Sequence, residues 1–313
     1  MAGAKWKAFL RDENGNITTT EVIEIGGVLV SQIFSVIDRY YYSENEAARH
    51  NSHNRYSRYS SIVERAGGII ANNGIQITVS DNGEIAAKNV GFIDQDSERE
   101  FIIRHEMIDD IFLIDIRTFN AVYLDISDTV QAIEDAVANG TRKFVVDLRG
   151  NNGGSSWIGE RLLNAMGITI PQFGLIRRTS PVEIEQHGMG YFRILNFLGF
   201  DYVTMSPSTD SSNPNNVFVS VLTDAASFSA SMWMATWAQD GGFGNVIGSP
   251  SGNAPTSFGN VLTHTLPYSG IRLSVSGAQW FRPDENADPL VLMPDIPVDP
   301  SDALNVALEF LQN

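Results

Sequence analysis

Two segments rich in glycine, asparagine or serine could carry chemistry, because each lies between an apolar run and a helical pattern. The first is "DLRGNNGGSS", Asp147 to Ser156. A glycine-rich turn at a helix N-terminus presents backbone N–H groups that bind an anion, either a phosphate or a developing oxyanion. The segment has neither the lysine of a Walker motif nor the glycine spacing of a dinucleotide-binding loop. A tight turn that needs glycine only for its backbone is the alternative.

The second segment is "TDAASFSASMWMATWAQDGG", Thr223 to Gly242, which follows the apolar run "NVFVSVL". A serine at a strand-to-helix turn has its hydroxyl at the positive end of the helix, and the next backbone N–H can donate to an oxyanion. The G-x-S-x-G pattern of a nucleophile elbow is absent. These residues alone leave two interpretations open: a catalytic serine, or small residues that cap and pack a helix.

The elements around these segments follow an α/β pattern from Ile111 onward. We expect strands at "IFLIDIRTF", "KFVVDL" and "NVFVSVL", and helices at "DISDTVQAIEDAVANG", "SSWIGERLLNAMG", "SASMWMATWAQDGG" and "DALNVALEFLQ". Such strand–helix units form right-handed parallel crossovers, so both segments fall at carboxyl ends of strands, where sites collect. Residues 168–216 are expected to form an irregular insert, and residues 248–299 short strands and turns.

Residues 1–95 have a mixed α+β pattern, which we interpret as a smaller region before a core of residues 96–313. It contains a possible strand at "EVIEIGGVLV", a helix through "SQIFSVIDRYYYSENEAARH" and a strand at "GIQITVSDNG" that ends in an Asn-Gly turn. His50 and His53 lie in the polar segment "HNSHNRYSRYSS" without partners at ligand spacing, so we expect a solvated helix end there and no metal site.

Composition excludes several classes of function. The net charge of −16 argues against nucleic-acid binding, which needs clustered Lys and Arg. The absence of cysteine excludes disulfides and a thiol nucleophile. No apolar run is long enough to span a bilayer, and the cysteine-free composition suits an exported protein whose targeting segment is not in this sequence. No cofactor is expected. The chain has no lysine after Lys143.

Five blocks in order carry a family resemblance: "FVVDLRGNNGG", "SFSASMWMATWAQDGG", "VIGSPSGNAPTSFGN", "LPYSGIRLSV" and "MPDIPV". Together they resemble the core of the carboxyl-terminal processing, or tail-specific, proteases, to which the tricorn core protease is related. The resemblance implies an α/β fold with a crotonase-like (ClpP/crotonase) core of parallel strands and helices. It also implies a serine-type peptidase that acts on peptide or protein substrates.

The resemblance assigns roles to particular residues. Ser229 matches the family's nucleophile, a serine followed by a small residue, a second serine and a helix. The implied oxyanion donors are the backbone N–H of Ala230 and one from the pair Gly153 and Gly154. Removal of such a donor costs on the order of 3 kcal/mol of transition-state stabilisation in other hydrolases.

The base that activates the serine is harder to assign. Family members with a Ser–Lys dyad have a lysine where this chain has Asn253 or Ala254, and the absence of lysine after Lys143 excludes that dyad. The tricorn-like branch uses a histidine from a region N-terminal to the core, with an acid shortly before the "PD" block. Residue type favours Glu285 as the acid and spacing favours Asp288, while a solvated acidic turn is equally open.

Among the five histidines, His105 is the best candidate by position, although nothing before Ile111 matches the branch's histidine motif. The segment "EVIEIGGVLVSQIFSVIDRYYYSEN" resembles a stretch that in this branch follows the histidine region. We therefore expect that the chain begins part-way into a longer protein or lacks its own base. Two other hypotheses are a non-catalytic peptide-binding relative and an acyl-CoA enzyme of the crotonase type, and the acidic composition argues against the second.

Overall fold

The computed structural model describes residues 8–11, 17–71, 74–91, 103–122, 124–187, 197–199 and 201–313. It divides the chain into two compact units, Met1–Glu100 and Phe101–Asn313, which we call unit 1 and unit 2. Each unit has a hydrophobic core of its own. Every helix among the described residues is too short or too polar to cross a membrane.

Unit 1 is a small antiparallel sheet covered by helices. The strands are β1 (Ala8–Arg11), β2 (Ile17–Ile25), β3 (Val28–Leu29), β4 (Ile75–Asp81) and β5 (Glu84–Val90). Their order is β1-β2-β4-β5, with β3 paired to β2. The helices are α1 (Val30–Tyr40), α2 (Glu46–Tyr56) and α3 (Ser60–Arg65). Apolar side chains of α1, α3, β2 and β4 form the core.

The helix predicted through residues 31–50 is two helices, because the chain extends at Tyr41 and α2 starts anew. Asn45 caps α2: its side-chain oxygen accepts the N–H of Ala48 at 2.9 Å. The predicted Asn-Gly turn joins β4 to β5, with Asn82 and Gly83 both at positive φ.

The interpretation of His53 as part of a solvated helix end is wrong. Its ring is buried and stacks on Phe34, with the ring centroids 4.2 Å apart, and Nε2 lies 2.7 Å from Asp38 Oδ1. Among the residues that the structure describes, no cluster of three or more His, Asp or Glu side chains could hold a metal ion.

Unit 2 is built on a six-stranded sheet with the order β15-β12-β11-β8-β7-β6. Its strands are β6 (Ile103–Ile108), β7 (Ile111–Ile116), β8 (Lys143–Asp147), β11 (Phe218–Thr223), β12 (Gly244–Gly248) and β15 (Ile296–Pro297). All pairs are parallel except the edge pair of β6 with β7. The continuous apolar sequences of β8 and β11 are explained by burial on both faces.

Helices cover both faces of this sheet. They are α4 (Ser127–Ala138), α5 (Ser156–Ala165), α7 (Ala230–Asp240) and α8 (Ala303–Gln312). The larger apolar cluster includes side chains of α4, α5 and α7, and the smaller one includes side chains of α8. The strands and helices predicted from Ile111 onward are therefore present, with bounds shifted by a few residues.

A second sheet replaces the predicted irregular regions. Its order is β10-β9-β14-β13, from β9 (Gly174–Arg178), β10 (Tyr202–Met205), β13 (Ser257–Thr265) and β14 (Arg272–Phe281), and the short helix α6 spans Pro181–His187. The insert thus supplies two strands, and β13 and β14 are longer than the predicted short strands. The sequence does not indicate this sheet because it consists of two antiparallel pairs from distant segments, β9 with β10 and β13 with β14, which are joined by the pairing of β14 with β9.

Candidate active site

The two glycine- and serine-rich segments follow the carboxyl ends of two neighbouring strands of the main sheet, β8 and β11. β8 and β11 pair in parallel, with Asp147 opposite Leu222, so both strands end at the same edge. The loop after β8 leads into α5, and the loop after β11 leads into α7. This edge is where open parallel sheets place their ligands.

Hydrogen bonds tie the two loops together. The carboxylate of Asp224, in the second loop, accepts the N–H of Gly150 in the first loop at 3.0 Å. The same oxygen accepts the N–H groups of Ala226 at 2.9 Å and Ser227 at 3.0 Å. In addition, the N–H of Phe228 donates to the carbonyl of Asn151 at 3.0 Å. The relative position of the loops is therefore determined by several bonds across them.

Gly153 lies directly against the start of α7. A Cβ atom at Gly153 would be 2.7 Å from Ser229 Cβ and 3.0 Å from Ala230 N, and it would also collide with the carbonyl of Phe228. The φ of Gly153 is +85°, a conformation that favours glycine. The next residue, Gly154, is exposed, and a Cβ there would meet the backbone of Phe119. The glycine pair is required for this close approach, beyond the needs of a turn.

Ser229 has a strained backbone at the turn between β11 and α7. Its φ of 57° and ψ of −124° lie in a region that residues other than glycine rarely adopt. Such strain costs on the order of 1–3 kcal/mol and is retained where the surrounding structure imposes it. A serine at a sharp, strained strand-to-helix turn presents its Oγ outward, as serine hydrolases require. The Ser229 side chain makes no capping hydrogen bond to α7.

The three serines of the segment have different surroundings. Ser227 is buried, its hydroxyl donates to the carbonyl of Leu148 at 2.8 Å, and its oxygen accepts the N–H of Asp224. Ser231 is also buried, and its Oγ has no partner among the described residues. Ser229 alone is partly exposed. The position of Ser229 is thus the one from which a hydroxyl could reach a substrate.

The backbone donors around Ser229 also differ. The N–H of Gly153 already donates to Asn151 Oδ1 at 2.8 Å, and this side-chain amide is itself held by a bond to the carbonyl of Ile116. In the part of the chain that the structure describes, the N–H groups of Ala230 and Gly154 have no acceptor. Of the glycine pair, Gly154 is therefore the one whose N–H is available.

Asn253 contacts the nucleophile candidate in a way that the sequence did not indicate. Its Oδ1 accepts the backbone N–H of Ser229 at 2.8 Å, and the residue is 4% exposed. The sequence identified this position only as one without the lysine of a Ser–Lys dyad. A buried asparagine in a loop of small residues was the available signal, although its partner, 24 residues away, could not be read from the sequence.

Among the described residues, His105 has no hydrogen bond to Ser229. It lies on the edge strand β6, where its Nδ1 is 3.1 Å from Thr129 Oγ1 and its ring stacks on Phe112. The register aligns His105 with Val221 of β11 across three strand spacings, which is about 14 Å. His105 therefore lies three strands from β11, the strand that leads to Ser229.

The candidate acids lie in a loop that is anchored at the far end of α7. The guanidinium of Arg282 donates to Asp240 Oδ1, in the last turn of that helix, and to the carbonyl of Asp288. The carboxylate of Asp288 accepts the N–H of Leu290 at 2.8 Å, and Glu285 is exposed. Among the described residues, neither Asp288 nor Glu285 is hydrogen-bonded to Ser229.

A largely buried ion pair lies where β8 leads into the first loop. Asp147 ends β8, and its carboxylate lies 2.6 Å from Arg149 Nη2 and 3.3 Å from Arg117 Nη2. The hydrogen bond to Asp147 raises the pKa of Arg149 above its usual range. Arg149 also donates to the carbonyl of Pro300. Because these side chains bind one another, we assign them a structural role in the loop.

The comparison with protein families agrees with the geometry. The model of peptidase family S41 matches residues 110–298, more than half of the chain. The chain belongs to this family. Its members are serine-type hydrolases that cleave peptide bonds. No curated protein matches the chain in sequence.

Two solved structures match nearly the whole chain in fold. Mature CPAF is similar over 98% of this chain and 80% of its own, with a TM-score of 0.59 and 13% identity. A structure of mature CPAF complexed with lactacystin gives a TM-score of 0.59 and 14% identity, over 98% of this chain and 81% of its own. The photosystem II D1 C-terminal processing protease gives 0.44 and 13%, over 92% and 65%. At these identities the likeness concerns the fold alone.

Proposed function

We propose that this chain is a serine endopeptidase or carboxyl-terminal processing peptidase in which Ser229 is the nucleophile. The observation that carries the proposal is the backbone of Ser229, strained at φ 57° and ψ −124° at the N-terminus of α7 with its hydroxyl in no capping bond. Parallel strands flanked by helices, with the site at their carboxyl ends, support a crotonase-like core for unit 2.

The proposed reaction begins when Ser229 Oγ attacks the carbonyl carbon of the scissile peptide bond and loses its proton to a base. The carbonyl oxygen becomes an oxyanion, which accepts hydrogen bonds from the N–H groups of Ala230 and Gly154. Collapse of this intermediate breaks the C–N bond and releases the amine fragment, which takes up a proton. Water then hydrolyses the acyl-enzyme and frees Ser229.

The base is the unassigned element of this proposal. Among the described side chains of unit 2, no histidine or lysine is hydrogen-bonded to Ser229, and Lys143 pairs with Asp110 at 2.9 Å. His105 as the base, with Glu285 or Asp288 as its acid, therefore gains no support from the geometry. This observation favours the second candidate function, a peptide-binding relative that has the oxyanion loops but lacks a histidine base of its own.

A pair of serine variants separates these functions. The chain is incubated with a fluorophosphonate probe, which modifies only an activated serine hydroxyl, and with a peptide library whose cleavage is followed by mass spectrometry. Ser229→Ala is compared with Ser231→Ala, the same change two residues later at a buried position. We expect labelling and cleavage in the parent chain and in Ser231→Ala, and loss of both in Ser229→Ala.

The outcomes discriminate clearly. Cleavage that persists in Ser229→Ala rejects Ser229 as the nucleophile. Absence of both labelling and cleavage in the parent chain supports the peptide-binding function, provided that a peptide still binds with measurable affinity.

A further inference from the structure

We propose that Asn253 is a positioning residue that holds Ser229 in its strained conformation. This inference rests on the proposed function, because the benefit of the strain is the orientation of the Ser229 hydroxyl and of the Ala230 N–H. The observation is the 2.8 Å hydrogen bond from the Ser229 N–H to Asn253 Oδ1. Asn253 is 4% exposed, so water does not readily replace this acceptor.

The bond acts on one of the two peptide planes that determine the conformation of Ser229. It fixes the plane that joins Phe228 to Ser229, because the Ser229 N–H lies in that plane. The next plane, from Ser229 to Ala230, is fixed by the helix: the Ser229 carbonyl accepts the N–H of Trp233 at 3.0 Å. Only φ and ψ of Ser229 lie between the two planes, so the two bonds together determine both angles.

The helix bond of the Ser229 carbonyl sets the direction of the oxyanion donor. A planar trans peptide points its N–H opposite to its carbonyl. Because the Ser229 carbonyl points along α7 toward Trp233, the Ala230 N–H points out of the helix N-terminus. Asn253 therefore influences the nucleophile through φ, while the helix fixes the donor.

The loop that carries Asn253 is itself attached to the nucleophile loop. The N–H of Gly252 donates to the carbonyl of Ser227 at 3.2 Å. The hydroxyl of Ser251, which is buried, donates to the carbonyl of Asn253 at 3.0 Å. These bonds hold the main chain on both sides of the amide, so the Asn253 side chain meets Ser229 with little freedom to move.

The chemistry of the amide restricts Asn253 to positioning. A carboxamide oxygen accepts hydrogen bonds but does not take up a proton near neutral pH, so Asn253 is not the missing base. Its role predicts a specific kinetic signature: the chemical step slows while substrate binding is unchanged.

The test uses two substitutions of similar size at this position. Asn253→Leu removes the acceptor and keeps the volume, whereas Asn253→Asp keeps an acceptor oxygen in the same place. We expect Asn253→Leu to lower the fluorophosphonate labelling rate and kcat by about tenfold or more, with KM within about twofold of the parent value. Asn253→Asp keeps the hydrogen bond to the Ser229 N–H, but its negative charge opposes the oxyanion, so its rates are expected to lie between those of the parent chain and of Asn253→Leu.

A second measurement is independent of activity. Hydrogen–deuterium exchange of the Ser229 amide should be at least about tenfold faster in Asn253→Leu than in the parent chain, and close to the parent rate in Asn253→Asp. Circular dichroism and thermal unfolding check that each variant is folded. Asn253→Ala, which removes the acceptor without added branching, replaces the leucine variant if that variant does not fold.

The results can overturn the proposal in either arm. Parent-like labelling, kcat and Ser229 exchange in Asn253→Leu would refute the positioning role. Equal loss of Ser229 amide protection in the leucine and aspartate variants would also refute it, because an acceptor oxygen at this position would then be irrelevant. If the parent chain is neither labelled nor active, the proposed function fails, but hydrogen exchange still tests the positioning bond. In that case, loss of Ser229 amide protection in Asn253→Leu, with parent-like protection in Asn253→Asp, supports the bond. Unchanged protection in Asn253→Leu rejects it.

Discussion

Substitution of two glycines in the loop after β8 provides a sharp test of the site's geometry. Gly150 and Gly153 both have positive φ, +76° and +85°, and they lie three residues apart in one loop. A Cβ at Gly150 would have nothing within 4 Å, whereas a Cβ at Gly153 would enter the space of Ser229 and Ala230. Gly150→Ala is therefore a matched control for Gly153→Ala.

The magnitudes follow from these distances. Both substitutions place an L-residue in the left-handed region, which costs about 1–2 kcal/mol of stability. Only Gly153→Ala adds a collision, with Cβ at 2.7 Å from Ser229 Cβ. Ordinary carbon contacts are about 3.5–4.0 Å, so the loop and the start of α7 must separate by about 1 Å. A misplacement of this size lowers catalytic rates by about 100-fold.

The assay is the rate of fluorophosphonate labelling at Ser229, measured together with denaturant unfolding. We expect Gly150→Ala to lose about 1 kcal/mol of stability and to be labelled at a rate close to that of the parent. Gly153→Ala should lose more stability than Gly150→Ala and be labelled about 100-fold more slowly. Equal labelling rates for the two variants, with both folded, would refute the contact between the glycine loop and Ser229.

Two further predictions concern stability. Ser227→Ala should destabilise the chain by about 1–3 kcal/mol in denaturant unfolding, because it removes the hydrogen bond to the Leu148 carbonyl and leaves the Asp224 N–H without its acceptor. Ser231→Ala should be neutral or stabilising by up to about 1 kcal/mol. The reverse order would contradict the hydrogen bonding described here. In unit 1, the hydrogen bond from Arg49 to Asp38 lowers the pKa of that carboxyl, and His53 adds to the effect. The folded-state pKa is below the unfolded value, so this stabilisation is complete above about pH 4 and is lost as pH falls through the folded-state pKa. Asp38→Asn should therefore lower the melting temperature at pH 7 and reduce its decline below about pH 4; an unchanged acid decline would exclude Asp38 as a source.

The parallel core was predictable because its sequence signals are local. The apolar runs of β8 and β11 and the helical pattern after each are contained within about 20 residues, and parallel pairing follows from their alternation. The antiparallel sheet of β9, β10, β13 and β14 was missed because the pair that unites it, β9 with β14, joins segments about 100 residues apart. His53 was misjudged for the same reason: its partners Phe34 and Asp38 belong to another helix.

For the candidate site too, the features that are local in sequence could be predicted, and the contacts between distant segments could not. The sequence identified Ser229 and the two neighbouring loops, but it could not show which polar groups are already hydrogen-bonded within the protein. That distinction depends on contacts across the fold: Gly153 N–H is used by Asn151, the Ser227 hydroxyl by Leu148, and the Asn253 amide by Ser229.

Polar groups that have no hydrogen-bond partner within the protein are the ones that can bind a substrate. A partly exposed hydroxyl at a strained turn and two backbone N–H groups without a protein acceptor, one at that turn and one in the loop after β8, are free to bind a substrate. Among the described residues, Ser229, Ala230 and Gly154 meet this description. A tetrahedral oxyanion beside Ser229 Oγ would satisfy the two N–H groups and would account for the strain that Asn253 and α7 maintain. The same reasoning restricts the base: it must be a group with a free lone pair near Ser229 Oγ, and the Asn253 side chain, already bonded to the Ser229 N–H, does not provide it.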